Sequence, residues 1–167
     1  MITLWRVVEA GPPCRDRPEK EHSRSISMEE LKQRILDIIH KPQLAALATV
    51  TEQNNPWVRY VVTVGDGDFN LRCATFANSR KVAQIKQNPN VHITMGVSDF
   101  MDMHPYIQVQ AQAETTTDHD ERHNFWNDLI APIFKGPDDP NYCIVLVKPY
   151  RIEYITPGSF EPEVWVR

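Results

Sequence analysis

Ser79, Arg80 and Lys81 place a hydroxyl, a guanidinium fork and a point-charge ammonium side by side, just after a strand-like segment and just before a short amphipathic stretch. Those three groups suit a phosphate dianion, the fork by paired hydrogen bonds and the ammonium by charge. A strand-to-helix junction adds to this, because a helix N-terminus carries unsatisfied N–H groups and the positive end of the macrodipole. Taken alone, the triplet also has a plainer reading, in which Ser79 caps the helix and two cations face solvent.

Other residues that could do chemistry are sparser. His119 and His123 stand four apart on a helical stretch, a spacing that can hold a metal, but the sequence His-Asp-Glu-Arg-His lacks the glutamate offset of a zinc protease. They read as a solvated helix face. His92 lies inside a strand pattern, and His104 sits in a loop with Asp102 and Met103. No Gly-rich dinucleotide fingerprint and no nucleophile elbow is present, which argues against Rossmann and hydrolase chemistry.

The elements that must position these groups follow from periodicity. Ser27 and Glu30 form a capping box, and Leu31, Ile35, Ile38 and Ile39 at helical spacing predict a helix over 28–40, ended by Pro42. The period then changes to two. Strands are expected at 44–51, 57–64 and 69–76, the first two joined as a hairpin through Glu52-Gln53-Asn54-Asn55-Pro56. A short helix carrying Val82 and Ile85 ends near Asn88-Pro89, before a fourth strand at 91–97. Strand five, 106–115, alternates Tyr106, Gln108, Gln110 and Gln112 against Ile107, Val109, Ala111 and Ala113. A second amphipathic helix begins at Thr117-Asp118 and presents Phe125, Trp126, Leu129 and Ile130, and 132–140 is a loop. A sixth strand covers 142–147, with 150–155 continuing it or forming a seventh. Trp165 in the tail reads as a lid over a cofactor or as an anchor on the barrel. Short antiparallel strands with few helices predict a mainly β fold, a small barrel with flanking helices and about six to seven strands.

Composition bounds the function. The chain has 167 residues and a net charge of -4, so it offers no general attraction to nucleic acid or anionic membranes, and any anion site must be local. Three widely spaced cysteines without a CxxC pair point to a reducing, cytoplasmic setting. No apolar run approaches the ~18 residues of a membrane span. Residues 1–25, rich in proline and charge, read as an irregular arm preceding one domain over 26–167; Met28 is a candidate initiator.

Thr75, Ser79-Arg80-Lys81, Gln84, Asn88-Pro89 and the strand Val91-His92-Ile93 together resemble the core of pyridoxamine 5'-phosphate oxidase-like proteins. Leu47-Ala48-Thr49-Val50 followed by Pro56-Trp57-Val58-Arg59 is similar to their opening hairpin, and Ile107-Gln108-Val109-Gln110 to their fifth strand. The resemblance spans roughly 29–155 and is strongest to the small, general-stress-protein-type branch. It implies an FMN-binding split β-barrel that forms a homodimer with the cofactor at the interface. By position, it implies that Arg59, Ser79, Arg80 and Lys81 hold the FMN phosphate. Tyr60, Val61, Val62 and Thr63 would then line the flavin, partly through backbone groups, and Thr75 and Gln108 would contact it.

Departures from the family pattern narrow the activity. True oxidases carry a C-terminal segment with Arg and His that grips pyridoxal phosphate, whereas this tail reads Phe160-Glu161-Pro162-Glu163-Val164-Trp165-Val166-Arg167. Ile107 and Gln110 stand where the family's fifth strand has arginines. The expectation is an FMN-dependent oxidoreductase acting on another small-molecule substrate or electron donor. The alternative is a non-catalytic sensing module for flavin, deazaflavin or haem, the last using His92 or His104 as axial ligand.

Overall fold

The computed structural model describes residues 26–97, 101 and 104–167; the arm expected over 1–25 lies outside them, as does part of the loop after the fourth strand. Helix α1 spans Met28–Ile39, and the Ser27 hydroxyl accepts from the Glu30 N–H at 3.1 Å. A helix of this length is marginal in isolation. Burial of Leu31, Ile35 and Ile39 holds it to the sheet, each side chain contributing about 1.5–3 kcal/mol.

Seven strands follow: β1 (Gln43–Val50), β2 (Pro56–Gly65), β3 (Leu71–Phe76), β4 (Asn90–Met95), β5 (Tyr106–Thr116), β6 (Tyr142–Ile155) and β7 (Glu163–Val166). They run in the order β3-β2-β1-β4-β5-β6-β7, and β3 also pairs with β6. That extra pairing closes six antiparallel strands into a barrel and leaves β7 as an addition on β6. Inward residues Ala45, Leu47, Val61, Cys73, Ile93, Met95, Ile107, Val109 and Val145 fill the barrel, following the period-two pattern of their strands. Helix α2 (Arg80–Gln87) sits between β3 and β4 in sequence and buries Val82 and Ile85.

Two boundaries differ from expectation for identifiable reasons, and a third, left open between two alternatives, is decided by the structure. Phe69 adopts a positive φ of 65°, so β3 starts at Leu71 and the Phe69 ring turns inward against Trp165, edge-on at 4.8 Å. Trp165 is therefore an anchor that closes the barrel end, not a lid. The segments 142–147 and 150–155 are one strand, β6, made continuous across Pro149 by a register shift opposite Gln110 and Ala111. Helix α3 is only His119–Phe125, capped by the Asp118 carboxylate on the Glu121 N–H at 3.0 Å. Beyond it the chain turns at Asn127, whose side-chain oxygen accepts from the Leu129 N–H at 2.9 Å. Ile130 and Phe134 nonetheless bury their side chains, in a second cluster with Tyr142 and Ile144 on the outer face of the barrel.

Gly65 ends β2 under the last turn of α1. A methyl there would lie 2.6 Å from Ile39 Cδ1 and 2.8 Å from its Cβ, too close for a buried residue to yield. Gly65→Ala should lower stability by about 1–3 kcal/mol in urea unfolding. Gly67→Ala, where an added methyl meets nothing within 4 Å, should stay within about 0.5 kcal/mol of wild type.

Candidate functional site

β2, β3 and α2 converge so that Arg59, Arg80 and Lys81 share one end of the barrel. Arg59 lies on the inward-facing side of β2, directly across from Leu47. Its guanidinium donates to the Leu47 carbonyl at 3.2 Å, to Thr49 Oγ1 at 2.6 Å and to Gln84 Oε1 at 2.8 Å. Thr49 Oγ1 also donates to Gln84 Oε1 at 2.7 Å, so helix and strand hold the fork from two sides. Lys81 Nζ donates to Thr75 Oγ1 at 2.7 Å, and Thr75 Oγ1 lies 3.2 Å from Ser79 Oγ. The Arg80 guanidinium sits over the Trp57 ring, 4.8 Å from its centre.

Ser79 occupies the N-cap position of α2, yet its side chain makes no capping bond. The hydroxyl is turned to Thr75 instead, so no side chain caps the first-turn N–H groups. Lys81 is half-buried, so the reading of a plain cap with two solvated cations fails for it.

Every acceptor around these cations is neutral: a carbonyl, an amide oxygen or a hydroxyl. Among the described residues, no carboxylate forms an ion pair with Arg59, Arg80 or Lys81. Burial, and then the charge of Arg80, pushes the Arg59 guanidinium below an arginine's ordinary value. Burial likewise lowers the Lys81 ammonium, opposed by Cys73 and reinforced by Arg59. The Cys73 thiol offers no compensating charge at neutral pH, because burial pushes it up to about 12. Positive charge held this close, with no carboxylate counter-ion among the described residues, is an arrangement that suits an anion.

Beside the cations lies a pocket of about 560 Å³, lined by Tyr60, Val61, Val62, Thr63, Thr75 and Lys81 among others. That volume is within the usual range of small-molecule sites, about 300–1,000 Å³. Leu44 and Phe76 form further parts of the wall, and Phe125, Leu129, Ile130, Ile133 and Phe134 supply an apolar side. Six residues expected at the site thus line one cavity; Ser79 adjoins it through its contact with Thr75, and Arg59 and Arg80 are the chain neighbours of the lining residues Tyr60 and Lys81. Gln108 does not. It shares the outer face of the sheet with Tyr60, along the cross-strand row Tyr60–Ala46–Thr94–Gln108, three strands away. At about 4.8 Å per strand this is roughly 14 Å along the sheet. His92 is exposed on β4 and does not line the pocket.

Thr49, Trp57 and Gln84 are functional candidates that the site prediction lacked. Gln84 was accessible to pattern reasoning, since it stands three and four residues after Lys81 and Arg80 on one helix face. Thr49 shares the inward parity of Leu47 and Arg59, but only the pairing of α2 with the hairpin explains its role.

The sequence pattern of the pyridoxamine 5'-phosphate oxidase family matches residues 31–156. This chain belongs to that family. It falls in the general stress protein 26 branch, being 28% identical over 137 residues to general stress protein 26 of Bacillus subtilis (strain 168), across 82% of this chain and 96% of that one. The crystal structure of General Stress Protein 26 from Bacillus anthracis str. Sterne superposes with a TM-score of 0.71 at 31% identity, covering 83% of this chain and 99% of that chain. A protein related to general stress protein 26 from Clostridium acetobutylicum shares the fold at 15% identity, with a TM-score of 0.66 over 82% of this chain and 92% of that one. In this family member, no helix among the described residues is long and apolar enough to cross a membrane.

The lowered Lys81 value has a consequence for stability. The folded chain releases this proton more readily than the unfolded chain, so charged Lys81 weighs against folding, and that cost is relieved as pH rises toward a lysine's ordinary value. Lys81→Met should therefore raise the melting temperature of the ligand-free protein near neutral pH. Inorganic phosphate, relative to chloride at equal ionic strength, should stabilise the wild type in calorimetry, and the same variant should lose that stabilisation. At a hundredfold excess over Kd that stabilisation amounts to about 2.7 kcal/mol.

Proposed function

We propose that this protein binds FMN and works as a flavin-dependent oxidoreductase on a small-molecule substrate. The observation that carries this reading is a set of three cations, Arg80 and Lys81 at the N-terminus of α2 and Arg59 on β2, without carboxylate partners among the described residues and beside a pocket walled by Tyr60–Thr63 of β2. Arg80, Lys81 and the uncapped N–H groups of α2 suit the phosphate, with Ser79 and Thr75 as hydroxyl partners. The fork of Arg59, oriented by Thr49 and Gln84, adds charge at the same point. The edge of β2 offers backbone groups to the ring system, and the apolar wall from Phe125 to Phe134 keeps water from one side. The flavin, when bound, supplies hydride transfer, while the chain supplies grip, orientation and a dry surface. No side chain around the pocket is assigned as a general acid or base. Pyridoxamine 5'-phosphate is not the proposed substrate, since the tail forms β7 around the buried Trp165 and offers no Arg–His segment to a second phosphate.

The same reading includes a homodimer. Support comes from the outer face of β1 and β2, where Leu44, Val58, Tyr60 and Val62 are each more than half exposed, at 57%, 61%, 74% and 54%. Such a continuous apolar strip on a soluble surface marks an interface. Ala46 and Ala48, paired with Tyr60 and Val58 on the same face, are small enough to let another sheet approach closely. A second copy packed on this face could bring its own Gln108 to a cofactor that one chain's Gln108 does not reach.

Two measurements test this. Purified protein incubated with FMN and desalted should retain a flavin absorption spectrum, with binding lost by at least tenfold in Arg80→Ala/Lys81→Ala while the circular dichroism spectrum is unchanged. A colourless protein without thermal response to FMN would refute the cofactor assignment. Light scattering should give twice the 19.3 kDa mass of one chain, and Tyr60→Glu should shift it toward the monomer.

A further inference from the structure

The three ligand-type side chains on the far side of the pocket wall carry an inference independent of the flavin reading. His119 and His123 lie one turn apart on α3, with rings stacked at 4.0 Å and 23°. Fifteen residues beyond His123, Asp138 returns to the same spot, and His123 Nε2 lies 2.9 Å from its Oδ1. The ligating atoms of the three residues all lie within 4.8 Å of one another. The geometry points to a site for a borderline divalent metal ion, zinc or nickel in type, held by His119, His123 and Asp138 with water completing the coordination.

The donor set fits that class. Two imidazoles and one carboxylate suit zinc, nickel or copper better than calcium or magnesium, which take oxygen ligands. A tetrahedral ion at about 2.0–2.1 Å from each donor sets them about 3.3 Å apart, so rotation of exposed side chains suffices to close the set. The scaffold beneath is already ordered. Asp139 turns the loop by accepting from the Lys135 N–H at 3.0 Å and the Asn141 N–H at 2.8 Å. Arg122 donates to the Asp139 carbonyl at 3.1 Å and lies 3.8 Å from the Asp138 carboxylate, which fixes that turn against α3. His119 Nδ1 lies 3.0 Å from Asp120 Oδ1, a carboxylate contact of the kind that orients metal-binding imidazoles.

Bound metal would join α3 to the turn that precedes β6. Between those two points runs the segment that supplies Leu129, Ile130, Ile133 and Phe134 to the pocket. The ion would thus clip both ends of the pocket's outer wall and reduce the freedom of the loop between them.

Titration of chelator-stripped full-length protein with zinc chloride by calorimetry tests this. The expected result is saturable binding that His123→Ala and Asp138→Asn each weaken at least tenfold, with a zinc-dependent rise in melting temperature only in wild type. Metal-free melting curves show whether either variant is folded; Asp138→Asn, conservative and on an exposed turn, decides the matter if His123→Ala is destabilised. Absence of saturable zinc binding by wild type, or wild-type affinity in His119→Ala/His123→Ala, would overturn the site.

Discussion

The pairing of β3 with β6 is the constraint on which the rest depends. Leu71 through Phe76 lie opposite Val147 through Tyr142, and this ladder turns a twisted sheet with two open edges into a barrel. Closure fixes Thr75 at the barrel end and starts α2 beside it, which delivers Ser79, Arg80 and Lys81 to the place where β2 presents Arg59. It also creates a second demand. Ala74, Ile144 and Leu146 point outward from the closing strands, and leaving them in water would cost the apolar burial they now gain. The segment after α3 answers that demand by folding Ile130 and Phe134 over them. In doing so it raises the outer wall of the pocket.

Within the site, orientation and neutralisation are separated. Thr49, Gln84 and the Leu47 carbonyl accept from Arg59 and Thr75 accepts from Lys81, so neither cation is left without partners. None of those partners carries charge. Ion pairs elsewhere show that the chain does not lack acids: Arg72 is shared by Asp66 at 2.7 Å and Glu121 at 3.1 Å. The site differs in holding positive charges that no carboxylate among the described residues pairs, at a cost to the stability of the free chain that an anion would relieve. Such a balance of binding against stability is common where function sets the local arrangement.

Legibility in the sequence followed the range of the interaction. The hairpin of β1 and β2 and the alternation along β5 were plain because turn chemistry and period-two burial are local signals. Cap geometry was equally plain for α1. Alternation could not place Phe69, whose positive φ arises from a tight turn between β2 and β3, nor choose between a continued sixth strand and a seventh across Pro149, which a bulge bridges. The apolar run after α3 had helical spacing but no helix, because Asn127 redirects the chain and packing on β6 sets the conformation. Arg59, Arg80 and Lys81 were visible as residue types; that Thr49 and Gln84 hold Arg59 and that Trp57 lies under Arg80 was decided by the tertiary structure.

The sequence by itself determined the mainly β class, the strand-to-helix junction with its phosphate-suited triplet, and, through the order of its motifs, the family. Those properties depend on neighbours along the chain, where spacing of a few residues is set by covalent geometry. The tertiary structure alone decided which groups meet across the chain. It closed the barrel, seated Gln84 against Arg59, kept Gln108 away from the pocket of its own chain, turned Trp165 into an anchor and returned Asp138 to the histidines of α3. Each of these joins residues whose separation no local period encodes, and it is cooperative burial of the barrel interior that sets their distances.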